Sequence, residues 1–274
     1  MMRLAPGRLA LACALLALGL APARAHDTWL APAAEQPGSG LLRLELVGGS
    51  RYPRREFSLA ASGTGAGACR EAGAGADAVL LPRTEHPTHL EMRARADAGK
   101  GVACWLEMRA WDVQIAADIV PLYFDEIRAP QAAQQRWAQL QARGVPWKES
   151  FRKFIRLELP PATGVLEGAA LAELRAPRGL PMELVPVGGQ PLRTGQPATF
   201  QVLFDGRPLA GQWVELVGER HPAGIWLQSD AQGQVRQVLP QPGPWLLRAT
   251  ALEPPAQDAQ PWRSRFATLL VHVR

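Results

Sequence analysis

The chain has 274 residues, 47% of them hydrophobic, 7% aromatic and 20% charged, with a formal net charge of +5. Its arginines are scattered, its lysines few, and no basic stripe interleaves with aromatics, which argues against a nucleic-acid-binding surface. No acid-rich chelating tail is present either, so any chemistry must come from residues that the fold brings together.

The first segment reads as an export leader spanning residues 1–25. Arg3 and Arg8 precede an apolar run, LALACALLALGLA, of signal-peptide length and short for a membrane span. APARA follows, with Ala23 and Ala25 at the small-residue positions of an A-x-A cleavage site. Cleavage after Ala25 would make His26 the first residue of an exported, periplasmic protein. Arg3, Arg8 and Arg24 would leave with the leader, taking the net charge from +5 to about +2. Cys13 would leave too. No later segment resembles a membrane span, so the chain is not expected to be transmembrane itself.

Residues 26–160 read as a β-rich domain. RLELVGG, REFSLAA, DAVLLP, THLEMRARA and VACWLEMRAW are short apolar-alternating runs separated by Gly, Pro and Ser turns. Leu90, Met92 and Ala94 share one face of such a strand. Cys69 and Cys104 are the cysteines of the mature chain. In an oxidising compartment they predict a disulfide closing a loop of about 35 residues. A helix is predicted near 130–143, opened by Pro130 and closed by Gly144, with Ala133, Trp137 and Leu140 on its apolar stripe. Next comes WKESFRKFIRLEL. There Arg152, Phe154, Arg156 and Glu158 would share one strand face, read as an ion-paired surface in preference to an anion contact.

PPATG starts a linker over 161–180, and residues 181–274 show a clearer strand rhythm. MELVPV, ATFQVLF, QWVELVG, GIWLQS, QVRQVL, PWLLRATAL and RFATLLVHV supply the seven short strands of an immunoglobulin-like sandwich. The fold class is therefore all-β dominated: two β-sandwich-like domains, the second immunoglobulin-like, with a short helix late in the first.

Signals for an enzyme are absent. There is no G-x-S-x-G, no H-E-x-x-H and no phosphate-binding glycine loop. GTGAGA lacks the strand-then-helix setting of a dinucleotide loop. The sequence therefore points to a binding or accessory protein with no catalytic residues. Metal chemistry is the sharper possibility. A freed α-amine and the imidazole of His26 form a chelate suited to Ni²⁺ or Cu²⁺, and the amine titrates near 7.7–8.0, so part of it is neutral at pH 7. Asp27 could add a carboxylate. His86 and His89 in TEHPTHL, and His221 beside Glu219, are the other candidate ligands. His272 sits among strand apolars and is expected to face outward.

In order along the chain, the layout resembles the DUF4198 family, exported proteins associated with nickel and cobalt uptake. The carrying motifs are AHDTWL directly after the leader, PLYFDEIRAP…QARG, KESFRKFIRLEL, GLPMELVPVG, ATFQVLFDGRPLAGQWVELV, SDAQGQVRQVLPQPGPWLLRA and WRSRFATLLVHV. The resemblance places His26 as the histidine after the signal, followed by Trp29 and Leu30. Asp205, Gly206, Pro208, Leu209 and Gly211 match the family's hairpin, and Asp230, Gly233, Pro242, Gly243 and Trp245 its late-strand pattern. Several members carry a second histidine beside the first, and here that neighbour is Asp27. The resemblance implies a periplasmic Ni²⁺ or Co²⁺ binding or delivery protein whose partner is a membrane metal-transporter component. Two alternatives stand beside it: a copper-binding protein using the same amino-terminal histidine, and an envelope scaffold that binds protein or glycan through the exposed-loop tryptophans Trp226 and Trp262. The sequence leaves the oligomeric state open.

Overall fold

The computed structural model describes residues 26–36 and 40–274. The leader segment and Cys13 lie outside the described residues. The first half contains β1 (Asp27–Pro32), β2 (Leu42–Gly49), β3 (Phe57–Ser58), β4 (Thr64–Glu71), β5 (Ala78–Val79), β6 (Leu81–Glu85), β7 (Leu90–Ala94), β8 (Val102–Met108) and β9 (Trp111–Ile115). Helices α1 (Val120–Ile127) and α2 (Gln131–Ala142), strand β10 (Trp147–Leu159) and helix α3 (Gly168–Arg175) follow. The second half contains β11 (Met182–Pro186), β12 (Pro197–Phe204), β13 (Arg207–Pro208), β14 (Trp213–Gly218), β15 (His221–Gln228), β16 (Gln234–Val238), β17 (Gly243–Glu253) and β18 (Trp262–Val273). Strands dominate, as the alternating pattern requires, and every run read as a strand in 181–274 forms one.

These strands build three layers. A nine-stranded central sheet runs β15-β14-β17-β18-β10-β8-β4-β5, with β9 also on β10. A five-stranded front sheet, β1-β2-β7-β6 with β3 on β2, covers one of its faces. A four-stranded back sheet, β11-β12-β13 with β16 on β12, covers the other. The central sheet crosses from one half of the chain to the other through a parallel pairing of β10 with β18, in register from Glu149↔Trp262 to Leu157↔Leu270. The two sandwiches thus share a wall, and the 161–180 segment, which holds α3, lies beside that wall.

Sequence explains why β10 and β18 occupy the middle. Period-two alternation sends Ile155, Leu157 and Leu270 to the front core, and Phe154, Ala267, Leu269 and Val271 to the back core. A strand apolar on both sides must be covered on both sides. Arg156 breaks the apolar run on the back face. It is buried there and forms an ion pair with Glu183 of β11, which also accepts the Arg178 N–H at 2.9 Å. The pair lies between sheets, so the expected ion-paired face of β10 is partly interior. Arg152 pairs with Glu107 at 2.8 Å nearer the surface.

At one end of the shared wall, α1 and α2 close a third cluster. Trp137 of α2 lies on the apolar stripe that the sequence predicts, edge-on to Trp147 at 5.4 Å, and Trp147 stacks on Trp262 at 4.4 Å and 12°. Trp262, expected in an exposed loop, is 2% exposed; it opens β18, and the helices cover it. Beneath these rings, the buried Glu149 accepts hydrogen bonds from Tyr123 Oη at 2.9 Å, Trp147 Nε1 at 3.0 Å and Ser264 Oγ. Burial raises its pKa above the ordinary carboxylate range, and the donors oppose that rise. Helix α1 was not marked in the sequence as separate from its neighbours. VPLYFDEI is short, and its buried Val120, Tyr123, Phe124 and Ile127 give a helical spacing over barely two turns.

Cys69 and Cys104 form the expected disulfide, with 4.0 Å between Cα atoms. They are direct cross-strand partners on β4 and β8 and are buried in the front core. Replacing both by alanine should lower the unfolding free energy by roughly 2–4 kcal/mol, read as a drop in the urea midpoint. An unchanged midpoint would contradict a stabilising bridge. Arg156→Met should cost roughly 3–5 kcal/mol by stranding the buried Glu183 carboxylate, and adding Glu183→Leu should recover part of that loss in the same assay.

Candidate functional site at the start of the first strand

The described chain begins at His26, and polar contacts from the shared wall hold this stretch. β1 is the outer strand of the front sheet, paired through Asp27↔Gly49 to Pro32↔Leu44. Its inner side is clasped by the shared wall. Thr268 Oγ1 on β18 donates to the Thr28 carbonyl at 2.7 Å. Lys153 Nζ on β10 donates to the His26 carbonyl at 2.8 Å and to Thr28 Oγ1 at 2.9 Å. Lys153 belongs to the basic stretch noted in the sequence, but it points to the face opposite Arg152 and Phe154.

Asp27 is 3% exposed, and both of its carboxylate oxygens are occupied. Oδ1 accepts from Arg248 at 2.7 Å, and Oδ2 accepts the Tyr52 N–H at 2.8 Å. Arg248 continues to Glu215 at 2.5 Å, and Glu215 to Arg51 at 2.8 Å. Charges therefore alternate from β1 through β17 and β14 to the loop after β2. Gly224 of β15 passes over this row with φ +74°. A Cβ there would lie 2.3 Å from Glu215 Oε1, so glycine is required on both counts. Farther out, two guanidinium groups lie over the Trp226 ring, Arg128 at 4.7 Å and Arg248 at 5.9 Å from its centroid.

Beside the row is a small cavity of about 30 Å³, room for a water or two, lined by His26, Thr28, Glu126, Lys153, Trp226 and Phe266 among others. The His26 imidazole is half-buried at this cavity and meets Phe57 edge-on at 5.0 Å. Burial lowers its pKa first, and the Lys153 charge adds to that; Glu56, Glu126 and Asp27 pull the other way. The net effect favours the neutral ring over the imidazolium. Burial likewise pushes the Lys153 ammonium down to about 8, against the pull of Asp27.

The other predicted ligands lie elsewhere. His86 and His89 stack on each other at 4.4 Å, with Nε2 atoms 3.8 Å from Glu91 and 3.9 Å from Glu45 on the outer side of the front sheet. His221 opens β15 and stacks on Trp245 at 5.8 Å. His272 is half-buried rather than outward, and its Nδ1 has no hydrogen-bond partner. Among the described residues, no group of three or more His, Cys, Asp or Glu side chains is arranged to hold a metal ion. What the fold does bring to His26 is the set of carboxylates Glu56, Glu126 and Asp27, and Asp27 is committed to Arg248. Lys153, Arg248 and Glu215 were not singled out from sequence as partners of the amino terminus. Their only signal is a charged residue placed within an apolar strand, such as Glu215 in WVELVG and Arg248 in WLLRATAL.

The family pattern described as Domain of unknown function (DUF4198) matches residues 23–253. The chain belongs to the DUF4198 family. The match begins just before His26 and runs to the end of β17, so the amino-terminal row and every strand of the shared wall except β18 lie within the DUF4198 region. No curated protein matches the chain. One solved structure, described as "Structural insight into host cell surface retention of a 1.5-MDa bacterial ice-binding adhesin", is similar at 9% identity and a TM-score of 0.24. That match covers 90% of this chain and 64% of the adhesin chain. A likeness at that TM-score bears on neither the fold nor the function of this DUF4198 protein.

Lys153 gives a test of the site in metal-free protein. Its folded pKa of about 8 lies below the ordinary lysine value of 10.5. Between those values the unfolded chain holds more protons than the folded one, so stability should rise with pH across that window. Lys153→Met should flatten the rise, as measured by urea denaturation at stepped pH.

Proposed function

We propose that this DUF4198 protein is a periplasmic carrier of a divalent transition metal, capturing Ni²⁺ or Co²⁺ at an amino terminus made by cleavage after Ala25. The observation that supports this reading is the fixing of His26. Lys153 pins its carbonyl at 2.8 Å while its imidazole stays at the cavity, in the field of Glu56 and Glu126. A residue held this way would present an α-amine and an imidazole together with little ordering left to do, which favours binding. The amine is the donor that the described side chains lack, and leader removal would supply it. The disulfide removes Cys69 and Cys104 as thiolate ligands, so the available donors are nitrogen and oxygen. Such a set suits Ni²⁺ and Co²⁺, and binds Cu²⁺ more tightly still.

Capture would be reversible. The amine and imidazole must both be neutral to bind, so acidification releases the ion. Ligand exchange with a membrane transporter component would complete delivery. Nothing in this cycle makes or breaks a covalent bond, so the protein acts as a binding partner and not as an enzyme.

Calorimetric titration of protein beginning at His26, with Ni²⁺, Co²⁺, Cu²⁺ and Zn²⁺, tests the reading. One-to-one binding is expected, lost both in His26→Ala and in a form with one extra residue before His26. It should persist when His86, His89 and His221 are replaced together. Binding that survives the extra residue, or that disappears with the three distant histidines, would overturn it.

A further inference from the structure

The outer face of the front sheet is strongly charged, and nothing in the metal reading uses it. Leu42, Leu44 and Leu46 of β2 and Leu90, Met92 and Ala94 of β7 point into the core, so the intervening residues point out. They are charged: Arg43 stands opposite Arg93, and Glu45 opposite Glu91. The two carboxylates are already neutralised, Glu45 by Arg55, and Glu91 by Arg93 and, at 3.5 Å, by Arg43. Arg83 of β6 and Arg95 after β7 then add positive charge with no ion pair or hydrogen bond among the described residues.

These two arginines border an open groove of about 500 Å³ whose other walls include Leu41, Val79 and Leu81. Val79 is 64% exposed and Leu81 45% exposed, among the most exposed large apolar side chains of the described chain. Leu81 lies directly across from Arg93 on the same face. Unpaired guanidinium groups thus stand beside protruding aliphatic groups around one groove, Leu81 on β6 of the front sheet and Val79 on β5 at the edge of the central sheet.

We propose that this face, with the β5 edge that adjoins it across the groove, docks on an anionic phospholipid bilayer, with Arg83, Arg93 and Arg95 at the headgroup phosphates and Leu81 and the neighbouring Val79 entering the interface. The charge complementarity is direct: the face carries unneutralised arginines and no unneutralised carboxylate in the groove. Its shape favours a bilayer over a free phosphate ion, because the guanidinium groups are spread over β6, β7 and the turn after β7 instead of converging on one point. The apolar contribution also points to lipid, since buried aliphatic groups and basic residues add in interfacial binding. No helix of the described chain is long and apolar enough to cross a membrane; the contact would be peripheral and reversible.

The test is co-sedimentation of the chain from His26 to Arg274 with vesicles of phosphatidylglycerol in phosphatidylethanolamine, and with vesicles of phosphatidylcholine alone. Binding to the first, absent with the second and falling steeply with salt, is expected. Arg83→Gln with Arg95→Gln should weaken it about thirty-fold, from about 1 kcal/mol per basic residue. Leu81→Ser should weaken it at every salt concentration, whereas Arg207→Gln, on the back sheet, should leave it unchanged. Because Arg83 and Arg95 are unpartnered, the double variant should melt like the parent. Equal binding to both vesicle types, unchanged binding by the double variant, or binding to soluble polyglutamate but not to vesicles would each overturn the proposal.

Discussion

Most of what is distinctive in this molecule follows from β10 and β18 lying side by side. Paired in parallel over Glu149–Leu157 and Trp262–Leu270, they form the one seam along which the two halves of the chain become a single sheet. Both strands are apolar on both faces, so neither the front nor the back sheet can be removed without exposing them to water. The packing of α1 and α2 depends on the same seam, because Trp147 and Trp262 stack across it. So does the seating of β1, which receives one hydrogen bond from Lys153 of β10 and another from Thr268 of β18.

The start of β1 is held mainly by charge. Burying Asp27 and Glu215 would be costly if either were left alone, and each is satisfied by at least two donors. Such a row contributes geometry more than net stability, since a well-packed apolar replacement often does as well. What it gives here is a defined position and direction for the residue in front of Asp27. Lys153 pins that residue's carbonyl at some cost to itself, as its depressed pKa indicates. A cation placed beside a proposed metal ligand is an electrostatic tension, and Glu56 and Glu126 offset it.

Much of this was legible in the sequence, for reasons that can be stated locally. The alternation in LRLELV and LEMRA is a period-two signal that needs no partner to be read. The cysteines were a simple pair in a chain with an export-like leader, and the Trp137 stripe of α2 is a 3.6-residue signal over twelve residues. Nonlocal facts were not legible. Nothing in WKESFRKFIRLEL says that its other neighbour lies more than a hundred residues later, or that the two sandwiches share it. Trp262 was expected in an exposed loop; it opens β18, and the helices that bury it come from a distant segment. At the candidate site, His26 drew notice only from its place after the predicted leader. The partners Lys153 and Arg248 were not legible, because a charged residue within a strand reads equally well as solvent-facing.

The shared seam also determines how the molecule would behave if it were divided. A cut anywhere in the 161–180 segment looks harmless in the sequence, since it falls between two apparent sandwiches. Separating the products would strip β10 of its neighbour along Glu149–Leu157 and leave β18 with a bare edge of its own. Each fragment would carry a long, flat, apolar strand with unpaired N–H and C=O groups, the template on which chains add to one another. The halves are therefore poor candidates for separate expression or for exchange between relatives. Nicked protein should stay together as a complex, and fragments made singly should aggregate.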